Sequence, residues 1–219
     1  MSYPGVWESD TACPDVGALR SDDVVAAARL HARSFPRFFL TSLGERFLRE
    51  FYRGFVEDPA AVTVVARDSA GAVVGVVVGT VVPDQFFRRM LRRQLGPLLV
   101  ASLLAVLRRP TAVVHLLRGL RYRGGLPILV RGALLSSICV DPDLEASGIG
   151  RRLLAAWWSA VQARGGTHAY LSTDADGNDR VNRFYQRAGW DLLGSYRVPG
   201  RRRMNCYGIS APSGRDPAF

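Results

Sequence analysis

Between Ala133 and Arg164 a β-rich run passes through a short glycine turn straight into an amphipathic helix. Ala133–Val140 reads as a strand. Gly148–Arg164 reads as a helix with Ile149, Leu153, Leu154, Trp157, Trp158 and Val161 at helical spacing, stopped by Gly165-Gly166. The order demands a layered fold in which this helix packs on the sheet that holds the strand. Gly148 and Gly150 allow close backbone approach, and the first helical amides have no partner within the helix. Such a start favours an anion. Arg151 and Arg152 oppose the helix dipole in its first turn, a placement that makes sense beside a phosphate; the alternative is a glycine-softened loop with two solvated arginines. No GK[ST] follows, so this is not a P-loop, and the GIG spacing is not the GxGxxG dinucleotide fingerprint.

The rest of the chain supplies the layers. Asp22–Phe35 and Gly44–Glu57 read as helices, the second with Phe47, Leu48, Phe51, Tyr52 and Phe55 on one face. Ala61–Arg67 and Ala72–Val82 read as strands joined by a hairpin signature at residues 68–71. After the glycine-turn helix come a strand at His168–Thr173, a helix at Asn178–Ala188 and strands at Asp191–Val198 and Arg203–Ile209. We expect one mixed α/β domain over residues 1–219, with no repeat and no low-complexity linker.

The 219 residues carry a net charge of +10, with 29 basic residues, all arginine, and 19 acidic ones. Nine of the arginines and a single acid lie in residues 83–125, a Leu-rich stretch expected to form two helices, about Gln85–Leu107 and Thr111–Tyr122. An anionic partner is expected there. Cys13, Cys139 and Cys206 are far apart, which supports neither a disulfide framework nor a zinc site. No metal is expected. The N-terminus lacks the pattern of a signal peptide, and the apolar stretches Ala72–Val82 and Leu95–Leu107 fall short of the roughly 20 residues of a membrane span. We read the protein as cytoplasmic.

A second constellation, Asn178-Asp-Arg-Val-Asn-Arg-Phe-Tyr-Gln-Arg-Ala-Gly-Trp190, follows the first. Together the two resemble the GNAT superfamily of N-acetyltransferases. The family pattern Q/R-x-x-G-x-G/A maps onto Glu145 to Gly150, and its N-x-x-A-x-x-x-Y-x-x-x-G-F/W ending onto Asn178, Val181, Tyr185, Gly189 and Trp190. The resemblance is specific over about residues 133–198. It does not account for 83–125, which looks like a basic helical insertion between the third and fourth strands.

The resemblance implies a twisted mixed sheet flanked by helices, whose fourth and fifth strands, here Ala133–Val140 and His168–Thr173, splay apart. Acetyl-CoA would be the cosubstrate. Its pantetheine arm would pair with the parted strand at Ile138, Cys139 and Val140, with Ile138 and Val140 offering the free backbone groups. The amides of Ser147, Gly148, Ile149, Gly150 and Arg151 would cradle the pyrophosphate, with Arg152 beside them. Asn178 would contact the cofactor, cap the last helix, or both. Tyr185 would donate a proton to the departing thiolate; its other reading is a packed ring. Glu145 departs from the family's Gln or Arg, and a carboxylate there repels pyrophosphate unless it turns away. The Cys139 side chain is expected to be small and buried, not a nucleophile.

The fourth strand has no carboxylate, so direct deprotonation from it is in doubt. Asp174, His31 and a water chain stand as candidate bases. The acceptor is expected to be a small-molecule amine, with an amino sugar or natural-product amine leading and an anionic one favoured by the arginine-rich segment. The stretch from His31 through Pro36 to Leu48 also resembles acetyltransferases of sugar and natural-product pathways, and Phe35, Phe38, Phe39, Phe47 and Phe51 are core residues of which part lines the acceptor pocket. The rival is a binding module, non-catalytic toward CoA, or attached to a membrane surface or nucleic acid through Arg88, Arg89, Arg92 and Arg93 beside Leu98–Leu107. No nucleic-acid motif is present, so no nucleic-acid partner is expected. A helical hairpin at 83–125 packed on a second subunit, as a homodimer, is the third reading of that segment.

Overall fold

A computed structural model describes residues 14–36, 38–90, 92–93, 130–198 and 202–212. The valine-rich runs form the middle of a seven-stranded sheet. β1 (Asp15–Gly17), β2 (Ala61–Arg67), β3 (Val73–Thr80), β4 (Ala133–Val140), β5 (His168–Asp174), β6 (Asp191–Arg197) and β7 (Arg203–Ser210) lie in the order β1-β2-β3-β4-β5-β7-β6. Every neighbouring pair is antiparallel except β4 and β5, which are parallel. The expected mixed α/β sheet is therefore present.

The helices divide between the faces. α1 (Val24–Ser34), the short α2 (Phe39–Ser42) and α3 (Glu45–Glu57) belong to one side; α4 (Ile149–Gln162) and α5 (Asp179–Arg187) belong to the other. Alternation along β2 shows why both stay in place. Val62, Val64 and Ala66 join the α4 core, while Ala61 and Val65 join the α1 core. Trp157 anchors α4: its Nε1–H donates to the Val62 carbonyl at 3.0 Å. The ring lies so close to β3 that a Cβ at Gly79 would sit 2.5 Å from it and 2.4 Å from the Leu134 carbonyl oxygen. Only glycine fits there.

The helix and strand boundaries agree with the sequence reading to within two residues at most ends. β1 and α2 were not expected. Each has three or four residues, too few to show a period.

Two irregularities in β4 open the gap beside it. Val78 pairs with Ser137 but Gly79 pairs with Leu135, so Ser136 is an extra residue that bulges. The bulge switches the alternation. Leu135 packs on the α4 side, and beyond it Ile138 and Val140 point to that side while Cys139 points to α1. The second irregularity is the pairing with β5, which holds only at Ala133 with Ala169 and Leu134 with Tyr170. From there to Val140 the two strands part.

The insertion leaves β3 at Thr80 and returns at Val130. Residues 83–90 and 92–93 are helical, and Phe86 is fully buried, its ring 4.6 Å from that of Phe55. Arg89 grips Asp58 with two bonds of 2.7 and 2.8 Å. This root lies beside Leu134, roughly 20 Å of strand from Val140. Arg88, Arg89, Arg92 and Arg93 are thus anchored at the far end of β4 from the glycine turn. The rest of the first expected insertion helix, including Leu98–Leu107, and the whole of the second, Thr111–Tyr122, lie outside the described residues.

Candidate functional site

The parted strands leave an open backbone edge. Asp141 N–H donates to the Val74 carbonyl at 2.8 Å, so residue 141 faces β3. In an antiparallel ladder the bonded side alternates. Cys139 therefore also faces β3, and Val140 and Ile138 turn their N–H and C=O toward the gap. Of the three strand residues expected to meet a cofactor, Cys139 is excluded as a backbone partner. Its thiol is equally withdrawn: the residue is 3% exposed, on the α1 side, and burial pushes its pKa up to about 12.

At the mouth of the gap the chain turns through Ala146 (φ 66°) and Gly148 (φ 83°) into α4. Alternating left-handed residues make successive amides converge into an anion-binding concavity. For Ala146 that conformation costs about 1–2 kcal/mol. The first intrahelical bond after the turn is Arg152 N–H to the Gly148 carbonyl, at 3.1 Å. The amides of Gly148, Ile149, Gly150 and Arg151 consequently lack an i−4 partner. The Ser147 amide does not join them: it and the Ser147 hydroxyl both turn back to the Leu144 carbonyl, at 3.3 and 2.6 Å. The Arg152 amide is likewise spent inside the helix.

Glu145 is held by Arg180, in the first turn of α5. The carboxylate that departs from the family pattern is thus neutralised from across the gap. Asn178 occupies the position before α5 but does not cap it through its side chain. Its carboxamide donates instead to Thr173 Oγ1 at 2.9 Å and to the Asp174 carbonyl at 3.1 Å. Asn182 donates to the same carbonyl at 3.0 Å and accepts from Tyr207 at 3.0 Å. These two amides fix α5 to the end of β5. A buried polar residue in the middle of an otherwise apolar helix face was the signal for Asn182.

Tyr185, one turn further on, is 5% exposed and packs on Phe184, Trp190 and Tyr207. Its hydroxyl makes no hydrogen bond among the described residues. Burial raises its pKa, so the proton stays on at neutral pH.

The α1 face of the same gap is lined differently. Ser34 Oγ donates to the Val140 carbonyl at 3.0 Å. His31 is 1% exposed; its Nδ1 lies 3.0 Å from the Tyr52 hydroxyl, and its Nε2 is buried with no partner among the described residues. Phe35, Phe38 and Phe51 surround the ring. Desolvation lowers its pKa to about 4. Between the ordinary value near 6.5 and that value, the unfolded chain binds a proton that the folded chain does not, so stability falls as pH falls through this window. Urea unfolding at pH 7 and pH 4.5 should show wild type losing roughly 2 kcal/mol more than His31→Gln. Equal losses would mean that His31 is not held neutral.

Opposite His31, Leu171 packs in the α4 core, so Ser172 and Asp174 face the α1 side. Tyr196 donates to Ser172 at 3.0 Å. Both Asp174 oxygens are held by Arg202, Nη2 reaching Oδ2 at 2.5 Å. The structure thus brings Ile138, Val140, residues 148–151, Asn178 and Tyr185 to one side of the gap, and His31 and Asp174 to the other. Among the described residues no group of three His, Cys, Asp or Glu side chains could hold a metal, and no helix is long and apolar enough to cross a membrane.

The family model described as acetyltransferase (GNAT) family matches residues 24–190. Similar solved structures include the ribosomal-protein-S18-alanine N-acetyltransferase from Escherichia coli, 16% identical, covering 94% of this chain and 99% of that one at a TM-score of 0.59. A polyamine N-acetyltransferase of Drosophila melanogaster, which forms N-acetylagmatine, is 17% identical over 90% of this chain and 100% of that one, with a TM-score of 0.58. Ard1 from Thermoplasma volcanium is 14% identical over 92% and 99%, also at 0.58. No curated protein sequence matches the chain.

Proposed function

The chain belongs to the acetyltransferase (GNAT) family, and from that premise we propose that it moves an acetyl group from acetyl-CoA to a small amine by direct attack in a ternary complex. The observation that carries this reading is the parting of β4 and β5 after two paired positions, with Ile138 and Val140 turned into the gap and, at its mouth, four amides with no i−4 partner among the described residues. An extended pantetheine arm fits the strand edge, and a pyrophosphate fits the amides of residues 148–151.

The two faces then have separate tasks. The cosubstrate enters on the α4 face and the amine on the α1 face. The amine nitrogen, its ammonium proton already passed to water, attacks the thioester carbonyl carbon; the C–S bond breaks, the thiolate takes the Tyr185 proton, and the proton shed by the acylated nitrogen returns to Tyr185 through water. The Val140 N–H polarises the carbonyl. The ammonium proton leaves to water. Asp174 is a poor acceptor because Arg202 covers both its oxygens. His31, with a pKa near 4, is too weak a base to take a proton from an ammonium. Positioning supplies much of the remaining acceleration.

Incubation with acetyl-CoA and a panel of amines, followed by thiol release, tests the activity. Release with at least one amine is expected; binding of acetyl-CoA without release under any amine would favour the non-catalytic module.

Glu145 gives a sharper expectation. Arg180→Ala would leave its carboxylate uncompensated beside the pyrophosphate. The dissociation constant for acetyl-CoA should rise by about fivefold, the effect of roughly 1 kcal/mol between partly exposed charges. Adding Glu145→Gln to that variant should restore most of the affinity. Calorimetry giving equal constants for all three proteins would show that the cradle does not feel this charge.

A further inference from the structure

Arg202 lies between a carboxylate and an aromatic ring. Its guanidinium lies along both oxygens of Asp174, and its Cζ is 5.8 Å from the centroid of the Phe38 ring. A carboxylate edge combined with an aromatic face is the environment that recognises a guanidinium or an ammonium. Asp174 ends β5 at the α1 side of the gap. The Phe38 ring is 6.2 Å from that of His31, whose Nε2 is buried without a partner among the described residues.

The charges along this rim point the same way. Arg33 already serves two carboxylates, Asp141 at 2.9 Å and Asp143 at 2.9 Å. Counting Asp174 and Arg202, these groups comprise three carboxylates and two guanidiniums. The Asp174 and Arg202 side chains are 35% and 44% exposed, so a ligand can reach the pair from solvent.

We infer that Asp174 and the Phe38 ring form a subsite for a second cationic group of the acceptor, so that the preferred acceptor is a diamine or guanidino-amine, and that Arg202 fills the subsite until the acceptor arrives. This rests on the acyl-transfer reading of the gap. It differs from the expectation of an anionic acceptor, which drew on the arginine-rich segment at 83–125.

The test compares three probes on the full chain with acetyl-CoA: 4-guanidinobutylamine, n-pentylamine and 4-aminobutanoate. Wild type should prefer the guanidino-amine over the monoamine by roughly tenfold or more in kcat/KM. That ratio should fall toward one in Asp174→Asn and, independently, in Phe38→Leu. It should rise in Arg202→Gln, where the internal competitor is gone. No preference in wild type would overturn the subsite. So would a preference for 4-aminobutanoate that Arg202→Gln abolishes, since Arg202 would then be an anion receptor. If no amine releases thiol, the acyl-transfer reading fails, and calorimetry with 4-guanidinobutylamine alone still decides the subsite. Binding weakened by Asp174→Asn supports it; no binding, or binding indifferent to that change, overturns it.

Discussion

Tyr185→Phe should lower kcat by about 10²–10⁴-fold, the usual worth of a positioned general acid. The change keeps the ring that packs on Phe184, Trp190 and Tyr207 and removes only the hydroxyl. That hydroxyl has no hydrogen-bond partner among the described residues, so its loss leaves no orphaned protein group there. Stability and acetyl-CoA affinity should therefore change little. Burial raises the Tyr185 pKa and keeps the group protonated. The proton is therefore still in place when the C–S bond breaks, and the raised pKa makes Tyr185 a weaker acid than an exposed tyrosine. An unaltered single-turnover rate would mean that Tyr185 is packing alone.

Gly148→Trp should abolish measurable acetyl-CoA binding. Gly148 holds a φ of 83°, which strains any L side chain, and a Cβ there meets nothing within 4 Å. The indole would project into the open space before the amides of residues 149–151. Gly150 offers the contrast. A Cβ at that position would make ordinary contacts of 3.6 Å to Phe184 and 3.7 Å to Val140, and the residue is inside α4. Gly150→Ala should keep binding and gain up to about 1 kcal/mol of helix stability. Calorimetry on both variants distinguishes a blocked cradle from a merely damaged helix. Retained affinity in Gly148→Trp would move the pyrophosphate elsewhere.

The local parts of the site were legible in the sequence because their chemistry is local. The glycine turn and the start of α4 lie within a dozen residues of β4, and the Asn178 to Trp190 spacing follows one helix. Side chains that turn back on their own neighbourhood were not legible. Ser147 and Asn178 carry the right groups, yet one amide is spent on Leu144 and one carboxamide on Thr173. The bulge at Ser136 was also hidden, although it decides that Ile138 and Val140 face the α4 side while Cys139 faces α1. Pairs distant in the chain were out of reach. Arg180 meets Glu145 across 35 positions and Arg202 meets Asp174 across 28. Only the packed fold shows that the first neutralises the Glu145 carboxylate and that the second lies on the α1 side of the gap. The role of the arginine-rich segment was not legible for a related reason: Arg89 is matched to Asp58, far along β4 from the gap, and residues 94–129 lie outside the described residues.

The central claim is that acetyl-CoA completes the edge of β4. Amide hydrogen exchange at Ile138 and Val140, with and without saturating acetyl-CoA, tests it most directly. Both N–H groups face the gap, so protection should rise at these two positions when the pantetheine arm pairs with them. Cys139, already facing β3, should change less. Exchange at Ile138 and Val140 that stays the same while calorimetry shows acetyl-CoA bound would place the cosubstrate outside the gap and contradict the account.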